Sequence, residues 1–168
     1  MRIISGKYKG KNIIAPRNLP IRPTTDFAKE SLFNILTNTI NFDNIKLLEL
    51  FAGTGNIGIE FASRGCEDIT AIDLHFGCVQ FIRKNYQKLN INGKVYRNEV
   101  FRFLKSHKEK YNVIFADPPY NLKNIIMLPE IIFKRNLLIS GGILIIEHDK
   151  KIDYSECNNF YNMRKYDL

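Results

Sequence analysis

Two short stretches carry residue types that can do chemistry together. The first is Asp117-Pro118-Pro119-Tyr120, directly after the apolar run Val113-Ile114-Phe115-Ala116. That run reads as a short buried strand. Proline fixes φ and has no N–H to donate, so the two prolines end a sheet ladder. They do not account for the acid and the aromatic that flank them. A carboxylate and a carbonyl whose direction is fixed by proline are two acceptors. A tyrosine ring is a flat face for stacking. The set suits an amine on a planar ring, whose protons the acceptors hold so that the lone pair turns outward. Such a group works through positioning and charge complementarity more than through base strength. Asp117, Pro118, Pro119 and Tyr120 are therefore the candidate catalytic residues.

The second stretch runs from Glu49 to Gly58. Gly53, Gly55 and Gly58 spell GxGxxG after the strand Leu47 to Leu50 and before a helix, and Asp73 ends the next strand. In that context the glycines receive a nucleoside and the acid takes ribose hydroxyls. A dinucleotide would set its pyrophosphate at the helix N-terminus. Glu49, just before the loop, opposes phosphate and suits a cation. S-adenosylmethionine carries an ammonium and a sulfonium and no phosphate, so it is the cofactor expected here. Glu99, after the third strand, is expected to accept from the adenine amino group, with Val100 or Phe101 against the ring. With the donor in the first loop, the end of the fourth strand lies beside it at the switch point of the sheet. The amine is then an exocyclic nucleobase amine, with Tyr120 stacking on the base.

The elements that must position these residues follow from periodicity. "MRIISGKYKGKNIIAP" reads as a β-hairpin with turns at Gly6 and Gly10. "TTDFAKESLFNIL" opens a helix capped by Thr24 or Thr25, with Ala28, Leu32, Ile35 and Leu36 on one face. Strands and helices then alternate: Leu47 to Leu50, the helix through Ile57, "ITAID", the helix through Cys78 and Tyr86, "KVYRN", a short helix, "NVIFA", a helix that includes Pro129, and "GGILIIEHD". "NFYNMRKY" is a candidate sixth strand. This alternation predicts an α/β fold, a mostly parallel twisted sheet with helices on both faces. The N-terminal hairpin and helix, residues 1–40, form an extension packed on a core domain of residues 41–168.

The net charge is +8 over 168 residues, which favours a polyanionic partner. No acid precedes Asp26, while Arg2, Lys7, Lys9, Lys11, Arg17 and Arg22 all do. This basic segment is expected to meet RNA phosphates. Cys66, Cys78 and Cys157 are widely spaced and odd in number, so reduced thiols in a cytoplasmic protein are expected, with no metal site. No run is long and apolar enough for a membrane span, and no signal peptide opens the chain.

The pieces "RIISGKYKGKNI", "RPTTDFAKESLFNIL", "LELFAGTGNIGIE", "FADPPY" and "GGILIIEHD" together resemble the RsmD family of 16S rRNA (guanine-N2)-methyltransferases. The resemblance covers nearly the whole chain. It implies a Rossmann-like class I methyltransferase fold with an N-terminal hairpin extension. It places S-adenosylmethionine on Glu49, Phe51, Gly53, Gly55, Asp73 and Glu99, and the target guanine at Asp117, Pro118 and Tyr120. Arg22, Thr24 and Thr25 would lie near the site, with Lys7, Lys9, Lys11 and Arg17 on RNA. The implied partner is 16S rRNA or an assembling small subunit, and a monomer is expected. Relatives carry a last antiparallel strand that this chain is expected to lack or shorten. Two other readings stay open: adenine-N6 methylation of DNA or RNA, and an RNA-binding protein of this fold without catalysis.

Overall fold

The computed structural model describes residues 1–16, 19, 26–122, 124–157 and 159–160. Helix α1 is Asp26–Thr39 and strand β1 is Lys46–Leu50. Then follow α2 (Asn56–Ser63), β2 (Asp68–Asp73), α3 (Phe76–Leu89), β3 (Gly93–Arg97), α4 (Val100–Ser106), β4 (Tyr111–Ala116), α5 (Leu128–Lys134) and β5 (Leu138–Ile146). The strands form one parallel sheet in the order β3-β2-β1-β4-β5. The expected alternation therefore produces the expected sheet, with the order reversing between β1 and β4. In open sheets such a reversal, beyond the carboxyl ends of the strands, is where a ligand crevice lies.

The inner strands β1, β2 and β4 bury both faces, as parallel strands covered by helices must, while the edge strands β3 and β5 stay partly exposed. On one side Leu47, Ile69, Ala71 and Val113 pack with α1, α2 and α3; on the other Leu48, Leu50, Ile72 and Ile114 pack with α4 and α5. Pro129 does not interrupt its helix. α5 begins at Leu128 after a 3-10 turn, Ile125–Met127, so the proline lies in the first turn, where its missing N–H costs no hydrogen bond. The expected sixth strand lies almost wholly outside the described residues, and Thr24 and Thr25, the expected helix caps, lie outside them entirely.

The N-terminal hairpin is shorter than its sequence predicts. One antiparallel pair, Arg2 with Asn12, marks it, and its turn is clamped to the protein instead of extending as a ladder. Lys7 N–H donates to the Ser63 carbonyl, and Tyr8 OH donates to the Leu89 carbonyl at 2.7 Å. A Cβ on Gly6 would stand 1.7 Å from the Ser63 carbonyl oxygen, so only glycine fits that approach. Ile3, Tyr8 and Ile13 join the same apolar core as α1 to α3.

Helix α1 corrects one expectation. Its buried residues are Lys29, Phe33 and Leu36, whereas Ala28, Leu32 and Ile35 are only half-buried. A lysine reads as a surface residue, but Lys29 is 0% exposed. Its ammonium donates to the Arg2 carbonyl and to Asn56 Oδ1 at 2.9 Å, and pairs with Glu60 at 3.5 Å. Glu60 also accepts from the Ile4 and Ser5 N–H groups and from Arg64. These partners satisfy both charges, so the helix turns its lysine inward. Burial holds the Lys29 ammonium below its ordinary pKa, against the pull of Glu60. Breaking a buried pair by removing one partner leaves an uncompensated charge, at a cost of about 3 kcal/mol or more. Lys29→Met should therefore lose about 3 kcal/mol of stability in urea unfolding. A change below about 0.5 kcal/mol, the size of an ordinary surface substitution, would contradict this account.

Candidate active site

Strands β2, β1 and β4 are neighbours, so their carboxyl ends bring Asp73, Glu49 and Asp117 toward one crevice. Between β1 and α2 the chain turns through Phe51 (φ 56°), Gly53 (φ 53°) and Gly55 (φ 69°). Glycine adopts this left-handed region freely; Phe51 does not, at about 1–2 kcal/mol. Phe51 is half-buried against the α4 and α5 core, which holds it there. Gly55 is the N-cap of α2, and a Cβ on it would meet Ile82 at 3.0 Å.

Asp73 ties the loop down. Its two carboxylate oxygens accept from Gly53 N–H at 2.8 Å and His75 N–H at 2.7 Å. An ionised carboxylate has about four acceptor positions, so capacity remains for hydroxyl donors. Burial raises its pKa, and the two N–H groups pull it back. Leu74, just beyond it, is 62% exposed, and Phe76 is exposed too. Sequence reading passed over this apolar pair, although apolar residues directly after a strand-end acid are the available signal.

Glu49 ends β1 just before the loop, 2% exposed, with its carboxyl group under the start of α2 beside Tyr86. Strand alternation explains this: Glu49 shares the face of Leu47, which packs under α2. Burial, aided by Asp73 and Asp117 and opposed by the Gly58 and Ile57 N–H groups at the start of α2, pushes its carboxyl up to about 8. A Cβ on Gly58 would stand 2.5 Å from the Tyr86 hydroxyl and 2.6 Å from Glu49 Oε2. The third glycine of the loop motif is thus required by a carboxylate and a phenol beneath the helix.

Glu99 has a structural task of its own. It is the N-cap of α4, and its oxygens accept from Phe101 N–H at 3.0 Å and Arg102 N–H at 2.7 Å. Its first task is to cap, as an acid three residues before a helical N–H commonly does. Val100 is buried and Phe101 half-buried.

In the candidate catalytic segment Asp117 is half-buried, Pro118 buried, and Pro119 and Tyr120 exposed. The segment is anchored behind by Glu147 N–H on the Ala116 carbonyl at 2.8 Å and ahead by Leu122 N–H on the Pro119 carbonyl at 2.9 Å. An acid and a ring are thus carried on the strand next to the glycine loop. Among the described residues no cluster of His, Cys, Asp and Glu could hold a metal ion, and no helix is long and apolar enough to cross a membrane.

The basic residues are placed elsewhere. The turn bearing Lys7 and Lys9 is fixed to Ser63, at the far end of α2 from the loop. Eight helical residues separate the two, about 12 Å. Lys7 and Lys11 both lie over the Tyr8 ring, 5.5 and 5.3 Å from its centre. Arg17, Arg22, Thr24 and Thr25 lie outside the described residues. A groove of about 600 Å³ between the N-terminal segment and α1, bordered by Arg2, Lys9, Asn34 and Arg64, shares no residue with the crevice.

This arrangement of strand order, loop and strand-end acids agrees with what comparison finds. The chain belongs to the family described as conserved hypothetical protein 95. The match spans residues 1–168. A Bacillus subtilis relative, YlbH, is 36% identical over 161 residues, covering 93% of this chain and 86% of its own. The ribosomal RNA small subunit methyltransferase D of Buchnera aphidicola is 32% identical, over 91% and 78%. The solved yhhF structure from Escherichia coli superposes with a TM-score of 0.86 at 27% identity, over 100% of this chain and 92% of that one. The fold is the class I methyltransferase fold, and the family is the one that the sequence motifs resemble.

Glu49 gives the site a pH signature. Its folded pKa, about 8, lies above its ordinary value of 4.5. The folded state therefore keeps a proton that the unfolded chain has released, and stability falls as pH rises between these values. Glu49→Gln should remove that slope, so its melting temperature should gain on the wild type between pH 5 and pH 8.5. Parallel pH profiles of the two proteins would contradict the assignment.

Proposed function

We propose that this protein methylates the exocyclic N2 amine of a guanine in 16S rRNA, with S-adenosylmethionine as donor. The observation that carries this reading is the seating of Asp117-Pro118-Pro119-Tyr120 on β4, next to the glycine loop at the switch point of the sheet. The name of the Buchnera relative supports a ribosomal RNA of the small subunit as substrate. An rRNA substrate makes the cytoplasm the place of action. In this reading residues 41–168 catalyse and residues 1–40 are an extension fixed to them.

The crevice fits the donor. The left-handed turn at Gly53 and Gly55 leaves room for close approach, and Asp73 keeps acceptor positions for ribose hydroxyls. Glu49 acts from beneath: a bound cation favours its ionised form, and its carboxylate holds the start of α2. S-adenosylmethionine supplies a methyl group on a sulfonium, whose sulfur leaves as a neutral thioether. The protein's part is to position the amine. The Asp117 carboxylate and Pro118 carbonyl accept its two protons, which turns the nitrogen lone pair toward the donor. Tyr120 stacks on the base turned out of its helix. The surplus proton leaves the new secondary amine to Asp117 or to water. Glu99 and Phe101 border the adenine side, and Lys7, Lys9 and Lys11 meet phosphates of RNA reaching past the target.

Asp117→Ala should abolish transfer to RNA with cofactor affinity nearly unchanged, and Tyr120→Phe should be mild while Tyr120→Ala is not. Nucleoside mass analysis should find N2-methylguanine; N6-methyladenine alone would overturn the guanine assignment, and full activity in Asp117→Ala would overturn the mechanism.

Neutralising Lys7, Lys9 and Lys11 together should flatten the salt dependence of RNA binding, by roughly 0.7 in log–log slope per lost phosphate contact. An unchanged slope in filter binding would remove this turn from the RNA surface.

A further inference from the structure

The catalytic segment runs directly into a turn that presents two large apolar side chains to solvent. Ile126 is 49% exposed and Met127 is 46% exposed. Single exposed apolar residues are ordinary. These two are adjacent, and the fold holds them outward. Ile125 before them is buried, and its carbonyl accepts from the buried Tyr154 hydroxyl at 3.0 Å. Leu128 and Pro129 after them are buried as well. Tyr154 is itself braced edge-on by His148. The pair thus stands on a pedestal anchored on both sides.

The pedestal is close to the reacting groups. Three successive i to i+3 hydrogen bonds fold the chain between them: Leu122 to Pro119, Ile125 to Leu122 and Met127 to Asn124. Six residues of chain reach at most about 21 Å when fully extended, and these turns shorten that reach, so Ile126 stays near Tyr120.

We infer that Ile126 and Met127 form an apolar wedge that packs against the bases next to the target and fills the gap left when the guanine turns out. This rests on the proposed nucleobase substrate. If Asp117 and Tyr120 receive a turned-out base, the surface continuing from them meets the bases that base has left. Those bases then expose apolar faces, and removing a base from its stack costs free energy that something must offset. Isoleucine and methionine are among the side chains that proteins insert at such steps. Both lack hydrogen-bonding groups that read sequence, so the wedge serves turning-out rather than base choice. Tyr120 then holds the target, while Ile126 and Met127 hold the place it left.

The test compares two RNAs carrying the target guanine: one with its natural neighbours, one with an abasic site beside the target, which is already unstacked. The double variant Ile126→Ser with Met127→Ser should lose about ten- to hundredfold in kcat/KM on the first RNA, the scale of one unstacked step. On the abasic RNA it should stay within about twofold of the wild type. The variant with leucine at both positions should work on both RNAs. In a second measurement on the wild type, 2-aminopurine beside the target should brighten on binding, as its neighbour leaves the stack. Equal activity of the serine variant and the wild type on the natural RNA would overturn the wedge. Equal loss on both RNAs would overturn it too, since that marks a structural role. No brightening with the wild type would do the same, whether or not the serine variant folds. Failure of the wild type to methylate either RNA would instead overturn the proposed substrate.

Discussion

A carboxylate buried beneath the first loop constrains the whole crevice. Glu49 sits on β1 under the start of α2, beside the Tyr86 hydroxyl and within the fields of Asp73 and Asp117. Burying an acid there costs free energy unless its proton stays on or a positive charge approaches. The N–H groups at the start of α2 supply part of that compensation, because the end of a helix carries partial positive charge. The same packing leaves no space for a side chain at residue 58 and so dictates a glycine. In the proposed function an approaching cation would favour the ionised form of Glu49 beneath the loop.

The second buried anchor is Lys29 with Glu60. It joins three separate pieces of chain, since Lys29 belongs to α1, Glu60 and Asn56 to α2, and the acceptor carbonyl to Arg2. Helix α2 therefore serves two purposes. Its first turn borders the glycine loop, and its remaining turns receive the N-terminal segment through Glu60 and Ser63. An extension that begins at Met1 is fixed to the helix that shapes the crevice, so the basic turn and the glycine loop are held in one frame.

Much of this was legible in the sequence. The alternation of strands and helices, with Gly53, Gly55 and Asp73 at strand ends, was enough to place a nucleoside loop at the switch point. The Asp117-Pro118-Pro119-Tyr120 segment was readable because acid, prolines and ring follow one strand without interruption. What was not legible depended on partners distant in sequence. Lys29 looks like a surface residue until Glu60 and the Arg2 carbonyl are brought to it. Glu49 lies at a strand end, and only the alternation of faces along β1, fixed by the helices above, tells whether it points into the crevice or beneath it. Glu99 reads as a ligand for adenine, and its capping of α4 shows only once that helix is seen to start at the next residue. Ile126 and Met127 lie in a stretch that reads as helix, and the 3-10 turn that carries them is braced through Ile125 by Tyr154, 29 residues further on.

The central claim is that the crevice is built for a cationic nucleoside without phosphate. Calorimetric titration of the purified protein with S-adenosylmethionine and, in parallel, with NAD tests it directly. Saturable binding of S-adenosylmethionine with no detectable binding of NAD is the result this account requires. Tighter binding of NAD, or no binding of S-adenosylmethionine, would contradict it.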